Sequence, residues 1–207
     1  ALLLPYEETM ARNDSLTGDP VATSAHFLWL GERTRDPDSP QAEFLRGVIN
    51  PVGIKCGPKV NSSDIERLIA RLNPTNESGK ITLILRAGKD KAESVYTRLI
   101  RDIRSSGLNV LWMVDPMHGN PQTSCGVKTR IFSDILDECK VFIDVCRSER
   151  VYPGGLHLEM TGKDVTECLG GSDTVEELSA NYNTQCDPRL NASQSLELAF
   201  AFAEHLV

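Results

Sequence analysis

Nowhere does the sequence hold the unbroken run of roughly 18 apolar residues that a membrane helix needs. Its opening, Ala1-Leu-Leu-Leu-Pro5, is too short for a signal peptide's apolar region and lacks the basic flank. A soluble, cytoplasmic protein is therefore expected (plastid-located if from a plant), without a membrane partner, and the absent initiating Met points to a processed or trimmed chain. Positive charge is also short. The 22 Lys and Arg stand against 29 Asp and Glu, a net charge of −7, which argues against nucleic-acid partners but not against a local basic pocket. No CxxC pair or small-scaffold spacing occurs among the six cysteines at 56, 125, 139, 146, 168 and 186, so these read as reduced and mostly buried. A Gly-x-Ser-x-Gly elbow is missing too, which argues against a Ser hydrolase. Gly154-Gly155 and Gly170-Gly171 fit neither GxGxxG nor GxxxxGK. Asn-x-Ser triplets, those at Asn61, Asn76 and Asn191 among them, carry no weight without a secretory signal.

What is present is an ordinary globular composition, 207 residues with 40% hydrophobic and 25% charged. Two patterns alternate along it. Short apolar runs occur at His26-Phe-Leu-Trp-Leu30, Val52-Gly-Ile54, Ile81-Thr-Leu-Ile-Leu85 and Val110-Leu-Trp-Met-Val114, with a weaker one at Leu156-His-Leu158. Between them lie helical spacings. Ser63-Asp-Ile-Glu66 reads as a capping box opening a helix that ends at Leu72, before Asn73-Pro74. Val95, Tyr96, Leu99, Ile100 and Ile103 form one stripe; Phe132, Ile135, Leu136, Cys139, Phe142, Ile143 and Cys146 form another. Asn191 can cap a last helix carrying Leu196, Leu198, Ala199, Phe202 and Leu206. Helices alternating with short strands imply an α/β fold with a parallel sheet. Strand starts near 26, 52, 81 and 110 fit the roughly 31 residues per unit of a (β/α)8 barrel, but five strands do not close one. An open sheet and most of a barrel remain alternatives, in either case as one domain spanning 1–207.

The polar residues gather where these strands end, which is where parallel α/β folds place their chemistry. Arg33, Lys55 and Arg86, with Arg35 nearby, put cations on three successive ends. Such a group calls for an anion, a phosphate or phosphate plus carboxylate; the alternative is separate surface pairs with Glu32, Asp36 or Glu43. His118, Glu159 and Asp187 supply one imidazole and two carboxylates, a donor set suited to Mn, Fe, Co or Zn; the alternative for Asp187 is a turn cap before Pro188. His157 is a further polar neighbour of Glu159, His26 reads as structural, and His205 as solvated surface.

The motifs Gly31-Glu-Arg-Thr-Arg35, Asn50-Pro-Val-Gly-Ile-Lys-Cys-Gly-Pro58, Asp115-Pro-Met-His-Gly-Asn120, Lys128-Thr-Arg130, Gly154-Gly-Leu-His-Leu-Glu-Met-Thr-Gly162, Thr166-Glu-Cys-Leu-Gly-Gly171 and the segment from Cys186 to Phe200 closely resemble class II (plant-type) 3-deoxy-D-arabino-heptulosonate 7-phosphate (DAHP) synthase. The resemblance runs over essentially the whole chain. It implies a metal-dependent (β/α)8 TIM barrel, of which this chain carries about the last five strands and lacks the first three. It also implies a transferase condensing phosphoenolpyruvate with erythrose 4-phosphate, the first step of the shikimate pathway to aromatic amino acids. By resemblance the metal, Mn first and Co, Fe or Zn as alternatives, falls to His118, Glu159 and Asp187. Phosphoenolpyruvate falls to Glu32, Arg33, Lys55 and Arg86, with Lys55 and His118 catalytic.

Some family features are missing. The family's metal-binding Cys and a further phosphoenolpyruvate Arg lie on strands outside this sequence, and no cysteine here matches the ligand position. Cys56 stands beside Lys55 where an aliphatic residue is usual, Ala87 replaces a Met, and Asp36-Pro-Asp-Ser-Pro40 replaces a Gln-rich stretch. Activity is expected only once the other strands are supplied, with a homo-oligomer or complementing chain covering the open edges. The competing readings are a non-catalytic remnant or partner of a full-length synthase, and a secondary-metabolism enzyme acting on another aldose phosphate, such as an amino-sugar phosphate.

Overall fold

The computed structural model describes residues 1–124, 126–171 and 177–207, so Cys125 lies outside the described residues. Two compact units divide the chain: residues 1–85 with 98–113, and residues 86–97 with 114–207.

In the first unit, α1 (Leu4–Met10) leads into an antiparallel pair, β1 (Ala11–Asn13) and β2 (Pro20–Ala22). Asp14 turns the hairpin by accepting the Leu16 and Thr17 N–H groups at 2.9 and 2.8 Å. The sequence carried no sign of this pair beyond Asp and Gly at its turn. Then follow β3 (Leu28–Leu30), α2 (Pro40–Arg46), β4 (Val52–Cys56), α3 (Ser62–Leu72), β5 (Ile81–Leu85), α4 (Lys89–Ser105) and β6 (Leu111–Val114). β3, β4 and β5 pair in parallel, Leu30 beside Ile54 and Cys56 beside Leu85. Every residue of β4 and β5 is buried, as expected of parallel strands covered on both faces. One expectation fails here. The cap of α3 is Asn61, whose side chain accepts the Ser63 N–H at 3.0 Å, and not Ser63 itself. An amide oxygen one residue before the helix satisfies the free donor, which makes Ser63 part of the first turn.

The second unit contains the start of α4, the antiparallel pair β7 (Gln122–Ser124) and β8 (Val127–Thr129), α5 (Phe132–Ser148), β9 (Pro153–Leu156) and α6 (Ala192–Leu206). β9 begins three residues earlier than the Leu156–Leu158 run expected from sequence. Its Pro-Gly-Gly-Leu composition has low strand propensity, and it stands last in its sheet, where a proline is tolerated. Phe202 and Leu198 of α6 are buried, while His205 lies at the surface as expected and pairs there with Asp144 of α5 at 2.9 Å. Asn191 caps α6 as expected, in a full capping box with Gln194, and its Nδ2 also donates to the Val165 carbonyl at 3.2 Å. Asn191→Ala is expected to cost about 1–2 kcal/mol, read as a lowered denaturation midpoint.

The five strands β3-β4-β5-β6-β9 form one parallel sheet in that order, each beside the one before it in the series. The fold is mixed α/β. Among the described residues no helix is long and apolar enough to cross a membrane. Cys56, Cys139, Cys146 and Cys168 are free and buried, and Cys186 is free and exposed.

Candidate metal centre

Immediately after β6, the fully buried Asp115 accepts the N–H groups of Met117 and His118, both at 3.1 Å. This turn swings the His118 ring back over the same carboxylate, with Nδ1 2.8 Å from Asp115 Oδ2. Nε2 then faces away, 3.1 Å from Glu159 Oε1 and 3.8 Å from Asp187 Oδ2. Glu159 follows β9. Asp187 is brought alongside by a parallel bridge between Met160 and Leu190, in which Leu190 N–H donates to the Glu159 carbonyl at 3.0 Å. One ligand atom from each of His118, Glu159 and Asp187 lies within 4.8 Å of the others.

Two cations complete the cluster. Arg130, 1% exposed, donates through Nε to the Met117 carbonyl at 2.7 Å and through Nη1 to the Pro188 carbonyl. Its Nη2 lies 2.8 Å from Glu159 Oε2. That last contact pairs charge but is off the hydrogen-bonding axis, so the buried Oε2 has no hydrogen-bond partner among the described residues. Lys128, two residues earlier on the same face, pairs with Asp187.

The charges settle accordingly. Hydrogen bonds to Asp115 and then Glu159 push the His118 pKa up to about 9. Burial works to raise Glu159, but the His118 hydrogen bond and the Arg130 charge outweigh it and hold the carboxyl below its usual range. The Lys128 hydrogen bond lowers Asp187. Nε2, Oε1 and Oδ2 face one another across a space in which a divalent cation would meet one atom of each residue. A carboxylate-oriented imidazole, two ionised carboxylates and an unused buried acceptor oxygen fit such an ion.

The residues expected to bind phosphoenolpyruvate fall in both units. Glu32 and Arg33 lie in the turn after β3; the Glu32 carboxylate sits over Gly57, where a Cβ would overlap it, and Arg33 is exposed. Lys55 lies within β4, 4% exposed, its Nζ 5.2 Å from the Trp29 ring centroid, a cation–π distance. Glu43, named above as an alternative surface partner, is engaged by Arg46 and Arg71, which draw its pKa down to about 2. Arg86, after β5, belongs to the second unit and donates from Nη2 to the His118 carbonyl at 2.7 Å. His157 is not part of the three-residue cluster, and its N–H donates to the Val114 carbonyl at 2.8 Å. Burial pushes the Cys56 thiol up to about 12, which suits a core residue and not a thiolate ligand.

The sequence matches the class-II DAHP synthetase family over residues 1–203. The chain belongs to that family. Across 99% of its length it is 48% identical to the phospho-2-dehydro-3-deoxyheptonate aldolase of Streptomyces coelicolor and 47% identical to that of Neurospora crassa. A probable chloroplastic phospho-2-dehydro-3-deoxyheptonate aldolase of Catharanthus roseus is 49% identical over the same share. The chain covers 46%, 46% and 40% of these proteins, so it spans about half the length of the curated relatives it matches. Sequence reasoning about this class-II chain missed Asp115, Lys128 and Arg130 as parts of the centre. The signals were there: a carboxylate three residues before the histidine, and two cations at a strand's two-residue period inside a quoted motif.

Proposed function

We propose that this chain is about the last five strands of a (β/α)8 synthase barrel, one domain across both units. The complete protein condenses phosphoenolpyruvate with erythrose 4-phosphate to DAHP and phosphate, opening the shikimate route to aromatic amino acids. The observation that carries this reading is the convergence of His118, Glu159 and Asp187, with Asp115 setting the imidazole, in a chain of the class-II family.

His118, Glu159 and Asp187 would hold a divalent cation, with Mn the first choice and Co, Fe or Zn compatible with the donors. When bound, the ion supplies Lewis acidity toward the aldehyde oxygen. Glu32, Arg33, Lys55 and Arg86 bind and orient phosphoenolpyruvate, their cations matching its phosphate and carboxylate. The enol carbon of phosphoenolpyruvate forms the new bond to the aldehyde carbon, water adds to the cationic carbon left behind, and C–O cleavage releases phosphate. Lys55 and Arg86 stabilise charge during these steps. Lys128 and Arg130 neutralise the surplus carboxylate charge. We assign this chemistry to the protein completed by the remaining strands, from the same chain, a second copy or a complementing chain, in the cytoplasm or a plastid.

The test is turnover by the intact protein supplied with both substrates and Mn²⁺. One phosphate should appear per phosphoenolpyruvate consumed, the rate should vanish on chelation and return with metal. Consumption insensitive to chelation would overturn the metal assignment. A folded intact protein that accepts only another aldose phosphate would change the substrate, and one that consumes nothing would be a non-catalytic partner.

A further inference from the structure

Outside the metal cluster, the second unit buries a carboxylate that the chemistry above does not use. Glu138, on α5, is 0% exposed in the middle of that helix's apolar stripe. Its Oε1 accepts the N–H groups of Ala87 and Gly88 at 2.9 and 3.0 Å, and the Tyr96 hydroxyl as well. Its Oε2 accepts Asn120 Nδ2 at 2.6 Å. Three donors from two separate loops and the Tyr96 hydroxyl from α4 thus meet one carboxylate, which burial would otherwise make costly. The first loop carries Arg86 and opens α4; the second carries His118.

The two loops also meet without Glu138. Arg86 donates to the His118 carbonyl at 2.7 Å, and Lys89 N–H donates to Asn120 Oδ1 at 3.1 Å. A Cβ on Gly88, at φ +79°, would come within 2.6 Å of the Gly119 carbonyl oxygen, and one on Gly119 would overlap Gly88 N. One turn earlier on α5, Asp134 accepts Lys89 Nζ at 2.6 Å.

We propose that Glu138 is a positioning residue that fixes the Arg86 loop and the His118 loop in one frame, so that the anion-binding guanidinium and the metal-binding imidazole keep a constant separation. The inference rests on the roles given to Arg86 and His118 under the proposed function. Its chemistry is specific: all four partners donate, so an acceptor-only carboxylate is required. Glutamine would turn an NH2 toward either the Ala87 and Gly88 amides or Asn120. Asn120 cannot flip to receive it, because its Nδ2 also donates to the Pro116 carbonyl at 2.7 Å and its Oδ1 takes the Lys89 N–H.

The test uses Glu138→Gln, Asn120→Asp and the double variant in the intact protein, all measured below their thermal midpoints. Dissociation constants are read for Mn²⁺ and for phosphoenolpyruvate, with hydrogen exchange of segments 86–89 and 117–120. Each single variant should weaken both ligands by about tenfold or more and speed exchange in both segments together. The double variant puts a Gln donor against an Asp acceptor and should bind both ligands at least about threefold more tightly than either single variant, with the Pro116 carbonyl now facing an oxygen in place of its donor. It keeps the test open where Glu138→Gln alone fails to fold. Wild-type affinities and exchange in folded Glu138→Gln would overturn the proposal, as would a change confined to one loop or a double variant no better than the singles. If the wild type binds neither ligand, the proposed function fails, and paired exchange of the two loops alone decides the role of Glu138: joint acceleration supports it, independent behaviour overturns it.

Discussion

Asp115→Asn in the intact protein is expected to weaken Mn²⁺ binding by about ten- to a hundredfold, although Asp115 is not itself among the three proposed ligands. The carboxylate accepts from the His118 ring and from the Met117 and His118 amides, so it sets both the loop and the imidazole. An amide side chain of the same shape can keep the backbone bonds through its oxygen. It loses the charge and presents an NH2 where Nδ1–H should find an acceptor, which favours the ring form whose Nε2 carries the proton. His118→Ala removes the ligand outright and should abolish both tight metal binding and turnover. Calorimetric Mn²⁺ titration checks both. Unchanged affinity in folded Asp115→Asn would show that the ring's orientation is set elsewhere.

Arg130→Met should be the most destabilising single change in the centre, by about 3 kcal/mol, because it removes a buried cation from partly buried carboxylates and leaves two carbonyl groups without their donor. The guanidinium contacts the Met117 carbonyl ahead of His118, the Pro188 carbonyl after Asp187, and Glu159 itself, so all three ligand segments lose their common fastening. Glu159 and Asp187 are left facing one another with less positive charge between them. Added Mn²⁺, no longer repelled by the guanidinium, should therefore bind folded Arg130→Met more tightly and raise its denaturation midpoint by more than that of the wild type. Equal shifts would argue that Arg130 is a structural cation without influence on the carboxylates.

Much of this arrangement was legible in the sequence because buried parallel strands write continuous apolar runs and their ends break into polar residues. Ile81–Leu85 and the rim positions of His118, Glu159 and Asp187 follow that rule. β9 did not, since Pro-Gly-Gly-Leu pairs through its backbone with little help from side chains. Glu138 was hidden for the opposite reason. It sits where the helical stripe calls for an apolar residue, and Leu136, which the stripe included, is only partly buried. Two of its four partners are backbone N–H groups from positions some fifty residues away, and a one-dimensional pattern carries no trace of them. Arg130 shares that difficulty, because two of its acceptors are carbonyl groups.

The contact between Gly88 and Gly119 has a consequence for how this chain can change over generations. Main chain lies against main chain there, so side-chain replacement cannot adjust the spacing by degrees. Any substitution at either position must first part the two loops, and a compensating change elsewhere would have to move backbone and not merely fill space. Variation around the centre is therefore channelled into the surrounding side chains, with this glycine pair as the fixed hinge pin about which alternatives must be drawn.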